Sequence, residues 1–524
     1  MEYTDIYSCI QILHEKPKWF FQKENIADKL KCFDTIQKVG TPSTIYSLIP
    51  FLRNENLLIQ NKAAETILFL FRKLKSLNEY AGTLKHLPIE KSDLDFYRTD
   101  FDEETYLQLL GIASFNSNGY VREKAVKELA RLKNADGLLF ILLRLGDWVT
   151  AVRKAATEGT LSFLESSYID DLLKQLPTID WLLKVGRVDL SEIHDRIIQF
   201  ILSQNFSDEF YKKIKRLDDK TRFQFYKTFL SRKIPREEQI NKISADKNIL
   251  VRLELIKHLT AFDSEMQKRI IGKFLYDQSA RVRQEALYAS KSFSPFFNNE
   301  ITELLSDEAF SVREICRHLL KDKEIDFASL YRQRIANRLF LSGSLLGLSD
   351  TGNSDDLPIF EQYISAEKSK LIVASLAAIN KFNTDKAKQY SIQLVVHPIK
   401  KVRDKAVDIL SKNADTETFK MIRVIYVTAN YDIKMTILKL YNKIGGWNIV
   451  GDLLLSLADE NATIQNLGWQ LLDKWKTKAT RLFTTPPAIE IERANKIYSS
   501  LDRNNLNMTN SRTNLLRDLQ FFLR

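Results

Sequence analysis

The stretch from Asp277 to Ser290, Asp-Gln-Ser-Ala-Arg-Val-Arg-Gln-Glu-Ala-Leu-Tyr-Ala-Ser, limits the possible folds more than any other feature, because most of the chain repeats it. An acid stands five residues before an aliphatic anchor, a base follows the anchor directly, and a small residue lies four further on. Anchors fall at Thr221, Val251, Val282, Val312, Leu341, Leu371, Val402, Ile433 and Ile464, each step between 29 and 31 residues. Earlier copies stand at Val121-Arg122 and Val152-Arg153, and Ile59 with Ala63, Ala64, Ile67 and Leu68 marks a buried helical stripe. A unit of this length accommodates two helices of about three turns each with two short turns. Strand patterning is almost absent.

Such an array escapes the limit that splits a chain of 524 residues into several compact domains, since each unit buries its apolar face on its neighbours. Residues 1–40 read as an N-terminal helical cap, with Ile6, Ile10, Leu13, Trp19, Phe20, Ile26, Leu30 and Phe33 on apolar faces broken near Pro17. Thr41-Pro42-Ser43 predicts a helix start, with Thr41 as the cap and the helix running to about Arg53. Residues 41–475 form the repeat array. Within it, 75–105 is an irregular acidic insertion or distorted repeat, holding Asp93, Asp95, Asp100, Asp102, Glu103 and Glu104. Residues 476–524 are a mildly basic helical tail or closing cap, interrupted at Pro486-Pro487.

Asp147 with Val152-Arg153, Asp246 with Val251-Arg252, Asp277 with Val282-Arg283, and Asp307 with Val312-Arg313 carry a pattern that resembles the HEAT repeat family, in its short PBS-lyase-type form. Val402-Arg403 keeps the pair, with His397 at the acid position, and Asp459 is followed by Gln465 where the arginine would be. The resemblance implies an all-α fold: a right-handed α-solenoid, or superhelix, of about 12–14 helix pairs. Physically, the aspartate accepts unpaired amides at a helix start, and the arginine bridges to an aspartate of its own or an adjacent repeat. Asp147, Arg153, Asp246, Arg252, Asp277, Arg283, Asp307, Arg313 and Arg403 are thus expected to form a structural ladder. The small residues Ala63, Ala125, Ala156, Ala286, Cys316, Ser375, Ala406 and Gly468 let neighbouring helices approach.

The net charge of +11 favours an acidic partner, although the ladder arginines account for part of it. Cys9, Cys32 and Cys316 lack any paired spacing, Met1–Asp5 lacks a signal-peptide pattern, and apolar runs such as Leu138–Leu143 are far below a membrane span. A cytoplasmic protein without membrane insertion is expected. No nucleotide loop, nucleophile elbow or zinc-protease motif is present, and His14, His86, His194, His258, His318 and His397 are scattered without ligand spacing. No cofactor and no catalytic residue is implied.

The one concentration of charge is Lys212 to Arg236, ten basic residues against Asp218 and Asp219, a net of +8. Lys212, Lys213, Lys215, Arg216, Lys227, Arg232, Lys233 and Arg236 are placed toward solvent, with Phe210, Ile214, Leu217, Phe225, Tyr226, Phe229 and Leu230 in the core. They are candidate phosphate contacts, and a solvated ridge is the plainer reading. The chain is therefore read as a non-catalytic scaffold or adaptor, binding a protein partner along the concave face of a HEAT-repeat superhelix. The alternative is a nucleic-acid-associated protein using the basic segment. A remoter one is a HEAT-like alkylpurine DNA glycosylase, whose repeat signature is faintly similar to Ala151–Gly159, with Glu158 as acid and Trp148 nearby.

Overall fold

The computed structural model describes residues 6–15, 25–204, 206–479, 485–503, 506 and 508–523, so Met1–Asp5 and the expected cap residues Pro17, Trp19 and Phe20 lie outside them. Among the described residues every regular element is an α-helix or a short 3-10 helix, and no strand occurs. The fold is an α-solenoid built from HEAT-like helix pairs. The chain divides into two units, Met1–Ala261 and Phe262–Arg524.

In the first unit the second helices of the pairs, including Leu57–Phe71, Gly119–Leu132, Thr150–Ser162, Asp219–Arg232 and Ile249–Lys257, each follow a shorter first helix. Gly119–Leu132 packs on Thr150–Ser162, and Asp219–Arg232 on Ile249–Lys257, so successive second helices form one layer. Asn56, Asn118, Asp218 and Asn248 cap these helices through their side chains. Residues 75–105 contain the helices Leu77–Leu84 and Asp93–Asp100, with Leu84, Leu94 and Tyr97 buried, while Leu57–Phe71 packs directly on Glu103–Ala113.

In the second unit the layer runs without interruption through Ala280–Ser290, Phe310–Leu319, Leu341–Thr351, Ser369–Phe382, Lys400–Asn413, Tyr431–Ile444 and Ala462–Ala479, each packed on the next. Helix Ala488–Ser500 packs on Val450–Leu457 and Asn510–Phe522 on Ala462–Ala479, so Ala494, Leu515, Leu516 and Leu519 are buried in the last core cluster. Arg423 and Arg493 both reach the buried Asp452, and Arg423 also holds Glu490 at 2.8 Å.

The anchors Val121, Val152, Val251, Val282, Val312 and Val402 are fully buried, as are Ala63, Ala125, Ala156, Ala286, Cys316, Ser375 and Ala406. Two anchors differ. Leu341 and Ile433 are only half-buried. Leu341 follows Phe340, whose backbone is left-handed at φ 45°, while Leu345, four residues on, is buried like the fourth residue after the other anchors. The expected helix from Thr41 to Arg53 is three short pieces, Pro42–Thr44, Ile45–Leu48 and Ile49–Arg53, because Pro50 has no amide to continue it and constrains Ile49. The Thr41 hydroxyl pairs with Ser43 and does not cap. In the opening helices the buried face is Cys9, Leu13, Cys32, Phe33 and Ile36, with Ile6, Ile10, Ile26 and Leu30 half-buried.

Each ladder aspartate accepts the amide two residues on: Asp147 from Val149 at 2.9 Å, Asp246 from Asn248 at 2.8 Å, Asp277 from Ser279 and Asp307 from Ala309, both at 2.7 Å. The carboxylate thus shapes the turn before the helix. His397 does the same through Nδ1, which accepts from Ile399 at 3.1 Å. The arginine divides its fork. One amino group donates to the carbonyl of the acid position in its own repeat, as in Arg153 to Asp147, Arg283 to Asp277, Arg313 to Asp307 and Arg403 to His397. Arg252 likewise donates to the Asp246 carbonyl at 2.5 Å. In four repeats the rest reaches a carboxylate of a following repeat: Arg122 holds Asp147 bidentately at 2.9 and 2.8 Å, Arg222 meets Asp246 at 3.1 Å, Arg283 meets Asp307 at 2.7 Å and Arg313 meets Asp350 at 2.8 Å, whereas Arg153 donates to the Thr150 hydroxyl at 3.0 Å and Arg403 to the Thr436 hydroxyl at 3.1 Å. Where the arginine is replaced, the two jobs separate: Gln465 donates to the Asp459 carbonyl, and Lys434 of the preceding repeat pairs with the Asp459 carboxylate at 2.7 Å.

Candidate partner-binding surfaces

The basic segment occupies helices Asp208–Arg216 and Asp219–Arg232 and the turn that follows. Phe210, Ile214, Phe225, Tyr226, Phe229 and Leu230 are buried, and Leu217 is half-buried. The aromatics pack on one another, with Phe225 and Phe229 stacked at 6.2 Å, and offer no face to a base. The cations divide into two groups. Lys213 pairs with Asp170 at 3.2 Å, Arg232 with Asp195 at 2.7 Å, and Lys233 with the Leu202 carbonyl. Lys212, Lys215, Arg216, Lys227 and Arg236 are exposed and form no ion pair with another described side chain. Lys212, Lys215 and Arg216 fall at i, i+3 and i+4, one stripe of a helix. Arg222, within the same run, is buried on Asp246 and faces no ligand.

A second surface follows from the turns. Close to where the second helices begin, one large apolar side chain after another is exposed: Leu57 and Leu58, Tyr120, Trp148, Ile249 and Leu250 in the first unit, and Phe310, Phe340, Ile399 and Tyr431 in the second. The anchor two or so residues later points inward, so its predecessors on the helix circumference point out. Several of these rings lie over ladder cations, Trp148 at 5.6 Å from Arg122 and Phe310 at 5.9 Å from Arg313. Phe340, a bulky residue held at positive φ, is 55% exposed.

A cleft of about 830 Å³ opens in the first unit at Trp148. Its buried members include Phe115, Arg122 and Asp147, with Arg144 nearly so, and its exposed ones include Lys85, Trp148 and Arg187, with Trp181 half-buried. Gly146 lets the loop at Val185 close one wall, since a Cβ there would meet Val185 at 2.8 Å. Four cations line the cleft against one carboxylate, an excess of +3. That carboxylate is already occupied by Arg122; Arg144 touches it only at 3.4 Å, rests on the Phe115 ring at 4.6 Å, and its buried Nε meets no acceptor among the described residues. Burial pulls the Arg144 guanidinium down to about 10, aided by Arg122 and opposed by Asp147, which leaves it charged at neutral pH.

Glu158 does not line this cleft. It lies about two turns along helix Thr150–Ser162, well exposed and 4.0 Å from Lys154. Glu158 thus stands outside the cleft that Trp148 lines. Lys85, Arg144, Trp181 and Arg187 escaped the sequence reading because they come from segments outside the anchor register. The available signal was two of the chain's six tryptophans lying about one repeat length apart, at 148 and 181. Among the described residues no group of three His, Cys, Asp or Glu side chains could hold a metal, and no helix is long and apolar enough to cross a membrane.

No protein-family model matches the sequence, and no curated protein matches it. Solved structures similar to the chain include Kap121p bound to Pho4p, at 12% identity over 100% of this chain and 66% of that one, TM-score 0.36. Kap121p bound to RanGTP is similar at 10% identity over 95% of this chain and 65% of that one, TM-score 0.32. The S. pombe condensin Cnd3-Cnd2 subcomplex is similar at 11% identity over 99% and 89%, TM-score 0.29. The chain spans about 65% of the length of the Kap121p chain.

Proposed function

We propose that the chain is a non-catalytic scaffold that binds a protein partner along the face its second helices present. The observation that carries this reading is the row of exposed large side chains at the starts of those helices, Tyr120, Trp148 and Leu250 in one unit and Phe310, Phe340 and Tyr431 in the other. Apolar groups held out at regular intervals on rigid helix ends supply pre-ordered anchors, and a few such aromatic contacts provide most of the affinity of an interface. Affinity capture from native lysate, with and without nuclease, tests it. Proteins should be retained by the parent chain, be insensitive to nuclease, and be lost when Tyr120, Phe310 and Tyr431 are changed to Ser. Retention unaffected by those changes would remove the reading.

A nucleic-acid reading rests on the unpaired stripe Lys212, Lys215 and Arg216. Retention on DNA that falls steeply with salt and disappears on charge reversal of the stripe would support it, and salt-insensitive or unchanged retention would exclude it.

A further inference from the structure

Arg144 presents an electrostatic imbalance that the repeat architecture does not resolve. Arg122 uses both oxygens of Asp147, and Asp147 also accepts the Val149 amide, so little of its capacity is left for a second guanidinium. A buried cation normally finds its own counter-ion, because desolvation is otherwise uncompensated. Arg144 must share Asp147 with Arg122 at 3.4 Å, its buried Nε meets no acceptor among the described residues, and it lines the cleft together with the exposed Trp148, Lys85 and Arg187. The cleft therefore keeps an excess of positive charge that a bound anion would balance.

We propose that this cleft binds a phosphorylated segment of a protein partner, with the phosphate received by Arg144 between Lys85 and Arg187 and the adjoining peptide laid against Trp148 and Trp181. This rests on the reading of the chain as a binder of proteins and adds what one of its sites selects. Three observations fix the chemistry. The excess of +3 is matched better by a phosphomonoester, close to two negative charges at neutral pH, than by a single carboxylate. Planar guanidinium groups pair with phosphate oxygens through parallel hydrogen bonds. The cations line one open cleft of about 830 Å³, the size of a site for a small ligand or a few residues, whereas a nucleic-acid backbone requires a continued track of exposed charge.

The test uses the full chain and fluorescence anisotropy with three probes: a degenerate heptapeptide pool with a central phosphoserine, the same pool with serine, and a mixed-sequence single-stranded oligonucleotide. The phosphoserine pool should bind about tenfold or more tighter than the serine pool, in keeping with the strength of charge-assisted pairing, and inorganic phosphate should compete. Arg144→Gln should reduce phosphoserine binding to the serine level. Because Arg144 is nearly buried, Lys85→Ala with Arg187→Ala serves as the surface variant, and it should weaken binding severalfold at an unchanged melting temperature. Equal binding of the two peptide pools, or full phosphoserine binding by the Lys85 and Arg187 variant, would overturn the proposal. So would an oligonucleotide that binds more tightly than the peptide with the same dependence on Arg144. Capture through Tyr120, Phe310 and Tyr431 is measured separately, so the site can fail while the scaffold reading stands.

Discussion

Removing the Asp147 carboxylate should be among the most damaging single changes in the first unit. Its side chain is 1% exposed and that of Arg122 is 3% exposed, and they are joined by two charge-assisted bonds. Asp147→Ala leaves the Arg122 guanidinium buried with only the carbonyls of Asn116 and Ser117, and with Arg144 as a like-charged neighbour. Removing one partner of a buried pair costs about 3–5 kcal/mol. For a unit of this size each kcal/mol lowers the melting temperature by about 2 °C, so a fall of roughly 6–10 °C is expected by calorimetry. The control is Glu308→Gln, which breaks an equally short bridge to Lys370 whose side chains are both 57% exposed. That pair should be worth less than about 1 kcal/mol. Replacing the buried pair together, Arg122→Met with Asp147→Leu, should recover part of the loss, since the Arg122 charge leaves with its partner and Arg144 alone loses its contact with Asp147. If Asp147→Ala costs no more than Glu308→Gln, the inter-repeat pair is not what holds this joint, and the account of the ladder is wrong.

Burial, not register, should set the cost of altering an anchor: Ile464→Ala, at a fully buried site, should lose about 2–5 kcal/mol in urea unfolding, and Ile433→Ala, half-buried, distinctly less. Gly343→Ala places a Cβ 1.5 Å from the Ser306 carbonyl oxygen, so the backbone must move, and the second unit should lose about 3 kcal/mol or more, read as a lower urea midpoint. Asp415 is held below the ordinary aspartate range by its bond from Lys388 at 2.6 Å and by the amide and hydroxyl of Thr418. A carboxylate depressed in the folded state stabilises above its unfolded value of about 4, and that contribution is lost as pH falls through the folded value. Melting curves of Asp415→Asn between pH 5 and 2 should therefore fall less steeply than those of the parent.

The solenoid was legible because its interior is periodic. Val282 and Ala286 must meet their counterparts one unit away, and any sequence that satisfies this repeats at the interval of the packing. The same logic explains the departures. Leu341 has the right spacing, yet it is only half-buried and follows the left-handed Phe340, a backbone choice that no hydrophobic pattern records. Pro50 broke a helix whose apolar face was otherwise continuous. The cleft was illegible for a different reason. Arg144, Trp181 and Arg187 converge only because irregular short helices after Ser166 fold back beside the repeat containing Trp148, and convergence between non-equivalent segments leaves no period to detect. The basic segment shows the opposite error: the run of charge is plain in the sequence, while the ion pairs that Lys213 and Arg232 make with Asp170 and Asp195 are separated from it along the chain.

The forked arginine has a consequence for how such a chain can change length. Arg122 to Asp147 spans 25 positions, Arg222 to Asp246 spans 24, Arg283 to Asp307 spans 24, and Lys434 to Asp459 spans 25. Donor and acceptor thus belong to interchangeable modules, and excising one whole module leaves a dangling guanidinium facing a dangling carboxylate at the correct separation. The cut ends heal. Arg313 reaches Asp350 across 37 positions because that acceptor stands near the end of the next second helix, Leu341–Thr351, and not in the turn before it. Recombination at whole-module boundaries would then lengthen or shorten the molecule without stranding charge in its interior, whereas a deletion of half a module would strand one.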